Sequence, residues 1–268
     1  MPTTPNTPRR LRIGGVPYLV GAPLLEGLDQ EPSVELVREP PRQMIAPLRQ
    51  SRLDAALLSS IEAFRRPGYT ALGDIGIACD GPVRSVRLFL RKAPRDVVTV
   101  AFDRSSETSV ALTRILLERR FGARLGRTFD IEPTRQPFAI DADAVLLIGD
   151  AGLFARHGDR QVLDLGQEWR AWQGLPFVFA LWLIRPEPAV AAAGPLPDNH
   201  HSIRVARELW AAHHRGCERG VEDGTGGAIR YELTAEHREG LRVFREEASG
   251  LGLCEPGIEP SWLFESSV

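Results

Sequence analysis

Short apolar runs alternate with amphipathic stretches along most of this chain. The stretches at 41–51 and 109–122 place apolar residues three or four positions apart, which is the spacing of a helix face. From about residue 199 onward the pattern is mostly helical and charged. Strands that alternate with helices predict βαβ units and mainly parallel sheets. The apolar runs have the length and composition of buried strands and lie at 11–16, 34–39, 54–60, 83–91, 97–102, 143–148 and 175–184.

Two such series predict an α/β protein of two lobes with a ligand cleft between them. We place the crossings between lobes near 90–97 and 183–190, so that residues 11–90 and 186–268 form the first lobe and 91–185 the second. A ligand in such a fold faces the carboxyl ends of strands and the amino ends of helices. Residues 1–10 are polar and proline-rich, which predicts a disordered tail rather than a signal peptide and favours a cytoplasmic protein.

Composition excludes several classes of protein. The 268 residues are 43% hydrophobic and 25% charged, which is enough apolar content for a sizeable core. A formal net charge of −2 lacks the basic surplus of a nucleic-acid binder, and no uninterrupted apolar stretch reaches the ~18 residues of a membrane span. Cys79, Cys217 and Cys254 are far apart and form no CxxC pair, which argues against a disulfide framework or a zinc site. We therefore expect no metal, nucleic-acid or membrane partner.

Hydroxyl side chains cluster where predicted strands meet helices. The strongest cluster, with Ser106, Thr108 and Ser109, stands at the start of the helix that follows the strand at 97–102. Amide groups and hydroxyls at a helix amino end either cap the helix or bind an anion. Ser59 and Ser60 form a second pair at another strand end. For both clusters, helix capping and ligand binding stay open as interpretations.

Two more polar residues lie near the expected lobe boundary or at a strand end. Ser85 follows the Gly81-Pro82 turn and enters the strand predicted at 83–91. Asp150 ends an apolar strand after a glycine, and we favour a helix cap over catalysis there. The dinucleotide, phosphate-loop, zinc-protease and nucleophile-elbow motifs are absent. The residues alone thus predict an anion-binding cleft lined by hydroxyl and amide groups, with no evident acid–base pair.

Six segments, taken together, resemble the chorismate dehydratase family of the futalosine route to menaquinone. They are RIGGVPYL (12–19), LDAALLSSIEAF (53–64), IGIACDGPVRSV (75–86), SSETSVAL (105–112), VLLIGDAGL (145–153) and DLGQEWRAWQGLPFVFALW (164–182). The resemblance covers roughly residues 11–185 and implies a fold like that of the type II periplasmic binding proteins. That expectation agrees with the two lobes predicted from the pattern.

The resemblance implies that chorismate loses water to give 3-[(1-carboxyvinyl)oxy]benzoate. Because the ring becomes aromatic, no cofactor is expected. Ser85 matches the family's serine after GPV and is the expected catalytic residue, placed to hydrogen-bond the departing hydroxyl or a carboxylate. The residues expected to bind substrate are Ser59, Ser60, Ser106, Thr108, Ser109, Asp150 and Tyr18.

One position departs from the family. Members often carry asparagine directly after the YL of the first segment, whereas this chain has Val20, which cannot donate a hydrogen bond. Tyr18 or a water molecule is the expected substitute. The matching segments contain no histidine or lysine, so we hypothesise that the enolpyruvyl carboxylate of chorismate accepts the ring proton.

Two alternatives stay open. The first is a cytoplasmic sensor of anions or solutes on the same fold, which would bind chorismate without turnover. The second is the sister enzyme that forms 1,4-dihydroxy-6-naphthoate, which is expected to use a histidine of the second lobe. His157 is the candidate for that role, and its polar surroundings favour a surface loop. The pattern does not predict an oligomeric state.

Overall fold

Two mixed β-sheets organise the chain in a computed structural model that describes residues 9–186 and 201–268. The strands are β1 (Leu11–Gly15), β2 (Val34–Arg38), β3 (Ala55–Ser59), β4 (Thr70–Cys79), β5 (Val86–Leu90), β6 (Val100–Asp103), β7 (Thr128–Ile131), β8 (Ala144–Ile148), β9 (Val162–Asp164), β10 (Phe177–Ile184), β11 (Arg230–Glu232) and β12 (Ser261–Leu263). The α-helices are α1 (Ala22–Leu25), α2 (Pro41–Arg49), α3 (Glu107–Ile115), α4 (Gly149–Phe154), α5 (Leu165–Gln173), α6 (His201–Arg219) and α7 (Ala235–Gly250).

The first sheet has the strand order β11-β4-β10-β3-β1-β2, with β12 paired to β4, and the second has the order β7-β6-β8-β5-β9. The prediction of mainly parallel sheets is wrong, because both sheets are mixed. Strand β10 runs antiparallel to β3 and β4, and β5 runs antiparallel to β8 and β9. Among the described helices, none has the length and apolarity needed to cross a bilayer.

The chain crosses between the two sheets at other positions than the predicted lobe boundaries. Strand β5 lies in the second sheet although the prediction gave it to the first lobe, and β10 lies in the first sheet although the prediction gave it to the second. The chain therefore passes between the sheets at 80–85 and returns at 174–176, not near 90–97 and 183–190. An apolar run predicts a strand, whereas the sheet that it joins depends on distant pairing partners.

Strand β4 has no counterpart among the predicted strands, although it is the longest in the first sheet. Gly73 and Gly76 interrupt its apolar pattern. A Cβ on Gly76 would lie 2.6 Å from the Ala180 carbonyl oxygen, and one on Gly73 would lie 2.3 Å from Cε1 of Phe264. The glycines thus permit the close approach of β10 and of the C-terminal segment, and the register between β4 and β10 shifts nearby.

Aromatic packing joins α5, β10 and α7 in the core. The Trp169 ring lies 5.2 Å from Phe177, and Phe177 lies 5.0 Å from Phe244, with edge-on geometry in both pairs. The Trp169 indole donates a hydrogen bond to the Pro176 carbonyl oxygen at 3.2 Å. All three rings are fully buried, so the return segment at 174–176 is anchored directly beside the core.

The predicted tail at 1–10 lies mostly outside the described residues. Within the described part, the Arg9 guanidinium pairs with the buried Asp54 carboxylate at 2.7 Å. Asp54 also accepts from the Arg12 backbone N–H at 2.8 Å and pairs with Arg185 at 3.1 Å. This buried carboxylate therefore joins the start of β1 to the end of β10.

Candidate functional site

A cavity lies where the two sheets meet, at the carboxyl ends of β1 and β3 and the amino end of α3. Its volume is about 490 Å³ when the solvent-filled opening is included. Among the described residues no charged side chain lines it, and most of its walls are apolar, as in many small-molecule sites. Its lining residues are Val16, Tyr18, Val20, Pro41, Ser59, Ile77, Val83, Ser85, Val86, Ser106, Ser109, Ile148, Gly149, Phe179 and Ala180.

Ser59 at the end of β3 and Ser106 at the start of α3 contact each other in the cavity lining. Ser59, at the end of β3, accepts a hydrogen bond from the Glu107 N–H of α3 at 3.1 Å, and its Oγ lies 3.4 Å from that of Ser106. Ser106 also accepts from the Ser109 N–H at 3.2 Å and is the amino cap of α3. Capping and cavity lining are therefore compatible at Ser106, because the same hydroxyl does both.

Ser85 lines the cavity from the crossing segment, directly before β5. Its side chain is 2% exposed, and its hydroxyl lies 3.4 Å from the Val83 carbonyl oxygen. The backbone of α4 packs closely behind it, since a Cβ on Gly152 would lie 2.4 Å from the Ser85 carbonyl oxygen. Crossing segment, strand and helix together hold this residue in the cavity lining that Ser59 also belongs to.

Tyr18 adds a third kind of polar group. Its ring rests against Gly149, where a Cβ would lie 2.9 Å from Cδ1 of the tyrosine and where φ is +56°. Burial raises the pKa of Tyr18 to about 12, and the Asp103 carboxylate adds to the shift, while the Ser105 hydroxyl opposes part of it. Within the described part of the chain, the buried Tyr18 hydroxyl meets no group at hydrogen-bond geometry. Because this hydroxyl stays neutral, it is a hydrogen-bond donor at the cavity.

Asp103 supports this site, and sequence reasoning did not select it. It ends β6, is fully buried, and accepts from the Ser105 N–H at 2.9 Å and the Ile148 N–H at 3.2 Å. Burial raises its pKa above the usual range. The carboxylate ties the end of β6 to the end of β8 and so orders two cavity walls. In the sequence Asp103 is a polar residue at the end of a buried strand. That position is the same for a buried carboxylate that orders a site and for an exposed carboxylate that caps a helix.

Three predicted binding residues do not line the cavity. Ser60 donates to the Val178 carbonyl oxygen at 2.7 Å and lies 3.3 Å from the Thr108 hydroxyl, which accepts from the Ile61 N–H at 3.2 Å. Both hydroxyls are fully buried behind the wall. Asp150 forms no cap on α4 and instead accepts from the Leu19 N–H at 3.2 Å, which links the two sides of the cleft.

Val20 and Phe179 form part of the apolar wall. The Tyr231 hydroxyl donates to the Val20 carbonyl oxygen at 3.0 Å, so the Val20 backbone is held in place although its side chain offers no donor. His157 is partly exposed, lies near the Phe89 ring at 6.3 Å, and does not line the cavity.

A family model described as menaquinone biosynthesis matches residues 11–249 of the chain. Chorismate dehydratase from Thermus thermophilus is 30% identical to it over 197 residues, which cover 65% of this chain and 72% of that protein.

Solved structures share the fold at low identity. Protein AF1704 from Archaeoglobus fulgidus superposes with a TM-score of 0.67 at 17% identity, covering 92% of this chain and all of that one. The aliphatic sulphonate binding protein SsuA from Escherichia coli has a TM-score of 0.57 at 14% identity, covering 94% and 96% of the two chains. The predicted two-lobed, periplasmic-binding-protein-like α/β fold is confirmed.

Proposed function

The chain belongs to the menaquinone biosynthesis family, and we propose that it is a chorismate dehydratase acting in the cytoplasm. One observation carries the proposal: Tyr18, Ser59, Ser85, Ser106 and Ser109, which were selected from sequence as ligand-binding or catalytic, line one cavity between the sheets. A curated relative with that activity supports the choice of substrate.

The cavity suits a cyclic dicarboxylate in two respects. Val83, Val86 and Phe179 offer apolar surface to a planar ring. Hydroxyl groups offer neutral donors to carboxylates, and the amino end of α3 adds partial positive charge. A hydrogen bond to a carboxylate is stronger in a cavity of low dielectric than in water, and this offsets part of the cost of removing the carboxylate from water.

The proposed reaction removes one proton and one hydroxide from the ring. The electron pair of the C3–H bond enters the ring as the C–O bond at C4 breaks, so that proton and hydroxide leave as water and a benzoate forms. Ser85 donates a hydrogen bond to the departing hydroxyl, and the enolpyruvyl carboxylate of chorismate accepts the proton. The protein contributes orientation and hydrogen bonds.

The test is turnover of chorismate by the purified chain, followed by chromatography and ultraviolet absorbance of the benzoate product. Ser85→Ala should lower kcat by about 10²-fold or more, as removal of one positioned donor does elsewhere. The matched control is Ser249→Ala on α7, which lies away from the cavity and should keep the parental kcat. A Ser85→Ala variant with parental kcat would exclude the role of Ser85.

A second candidate is a sensor that binds chorismate without turnover. It is favoured by the described part of the cavity lining, which carries hydroxyl donors and no charged acid–base pair. Binding by calorimetry with no product after prolonged incubation would select this function and exclude the dehydratase. The sister synthase predicts that His157→Ala abolishes activity, whereas we expect no change because His157 lies outside the cavity lining.

A further inference from the structure

Ser85 leaves a strained turn. Its N–H donates to the Val83 carbonyl oxygen at 2.8 Å, which closes a three-residue turn with Arg84 at its centre. Arg84 has φ of +63°, and Ser51 is the other non-glycine residue with positive φ in the described part of the chain. Turns of this kind are rare and persist when surrounding contacts hold them.

The Asp164 carboxylate holds this turn from the second sheet. One of its oxygens accepts from the Arg84 N–H at 2.6 Å, and both lie within 3.1 Å of the Val83 nitrogen. Asp164 ends β9 and pairs in register with Arg87 of β5. It is also the amino cap of α5, accepting from the Gln167 N–H at 3.1 Å.

A second contact holds the Arg84 side chain. Its guanidinium donates to the Thr225 carbonyl oxygen at 2.7 Å. Thr225 is fully buried, and Asp223 accepts from both its N–H and its hydroxyl at 2.7 Å. The strained residue is therefore fixed at its backbone by Asp164 and at its side chain by the loop after α6.

We infer that Asp164 is a positioning residue: it keeps Arg84 in the left-handed conformation and so places the Ser85 hydroxyl in the cavity. A helix cap needs one acceptor oxygen. The hydrogen bonds from the Val83 and Arg84 N–H groups to Asp164 hold the turn and are not needed to cap α5. The inference rests on the proposed function only for its kinetic consequence, since the position of Ser85 is measurable without turnover.

The experiment compares Asp164→Ala, Arg84→Gly and the double variant. Asp164→Ala should lower kcat for chorismate by about 10- to 100-fold, because a displaced hydroxyl no longer meets the departing group. Glycine adopts positive φ readily, but Arg84→Gly also removes the guanidinium bond to Thr225, so its own kcat is the reference for the double variant. Because glycine needs no carboxylate to hold positive φ, adding Asp164→Ala to Arg84→Gly should lower kcat much less than Asp164→Ala does in the parent. Loss of the α5 cap alone would not be repaired by a change at Arg84.

The matched control for cap loss is Thr234→Ala, which removes the amino cap of α7 away from the cavity. It should lower thermal stability through the loss of one helix cap while leaving kcat unchanged. If Asp164→Ala fails to fold, Asp164→Asn keeps one oxygen for α5 and loses the second acceptor. Asp164→Asn should then also lower kcat less in Arg84→Gly than in the parent.

Crystal structures of the parent and of the Asp164 variants give the readout that does not depend on activity. Ser85 Oγ should move in Asp164→Ala and return in the double variant. An unmoved Ser85, or an Asp164→Ala loss of kcat that is as large in Arg84→Gly as in the parent, would overturn the inference. If the parent chain does not turn over chorismate, the proposed function fails, while the displacement of Ser85 still decides the role of Asp164.

Discussion

Gly152 provides a direct test of how tightly α4 packs behind Ser85. Alanine in a helix is normally more stable than glycine by about 1 kcal/mol, and Gly152 has no positive φ that would oppose the change. On propensity alone, Gly152→Ala should therefore stabilise the protein. The surroundings predict the opposite sign.

The added methyl carbon would lie 2.4 Å from the Ser85 carbonyl oxygen and 2.8 Å from that of Leu147. Both are backbone atoms, and they adjoin the pair Val86–Ile148 that joins β5 to β8. Neither can rotate away as a side chain would, so α4 must shift. Overpacking costs about 1–3 kcal/mol, and two backbone oxygens closer than 3.0 Å place this site in the upper part of that range. A cost of about 2–3 kcal/mol against a gain of about 1 kcal/mol leaves a net loss of about 1–2 kcal/mol.

The assay is urea unfolding, monitored by the fluorescence of Trp169 and Trp182, which are both fully buried. In thermal unfolding, a net loss of that size should lower Tm by about 2–8 °C in a chain of this length. The control is Gly81→Ala, because a Cβ there meets nothing within 4 Å, and its stability should change by less than about 0.5 kcal/mol. Gly152→Ala should also lower kcat through Ser85. A variant as stable as its parent or more so would refute the steric argument.

Three further changes test buried polar groups. Burial opposes ionisation of Asp54, but the Arg12 N–H and the Arg185 guanidinium outweigh it and hold the pKa of Asp54 below its usual range. Its stabilisation is therefore present above the unfolded pKa near 4 and is lost as pH falls through the folded value. Asp54→Asn should lower the free energy of unfolding at pH 7 by about 3 kcal/mol. In urea titrations the difference in that free energy between parent and variant should become smaller at lower pH, and an equal difference at pH 7 and pH 3 would contradict this. Tyr18→Phe should keep stability within about 0.5 kcal/mol while weakening chorismate binding about tenfold by calorimetry, and unchanged affinity would remove Tyr18 from the site. Ser60→Ala should lose about 1 kcal/mol of stability with its hydrogen bond and keep the parental kcat, so a large kcat loss would return Ser60 to the site.

Local pattern was sufficient for most elements and for selecting five of the residues that line the cavity. The apolar runs at 54–60 and 175–184 correspond to β3 and β10, both buried along their length. The start of α3 was predicted from its hydroxyl residues, and Ser106 is its cap. These features depend on neighbours within a few residues, where side-chain type directly sets backbone preference and hydrogen bonding.

Long-range contacts decided the rest. Strand β4 forms despite its glycines because β10 and Phe264 approach it closely, and β5 and β10 join sheets that their own residues do not specify. Ser59 and Ser60 are adjacent in sequence, yet one lines the cavity and the other is bonded behind it. Asp164 meets Arg84 across 80 residues. The packing of distant segments decides which groups meet and which hydroxyl lines the cavity. Local sequence patterns do not specify that packing.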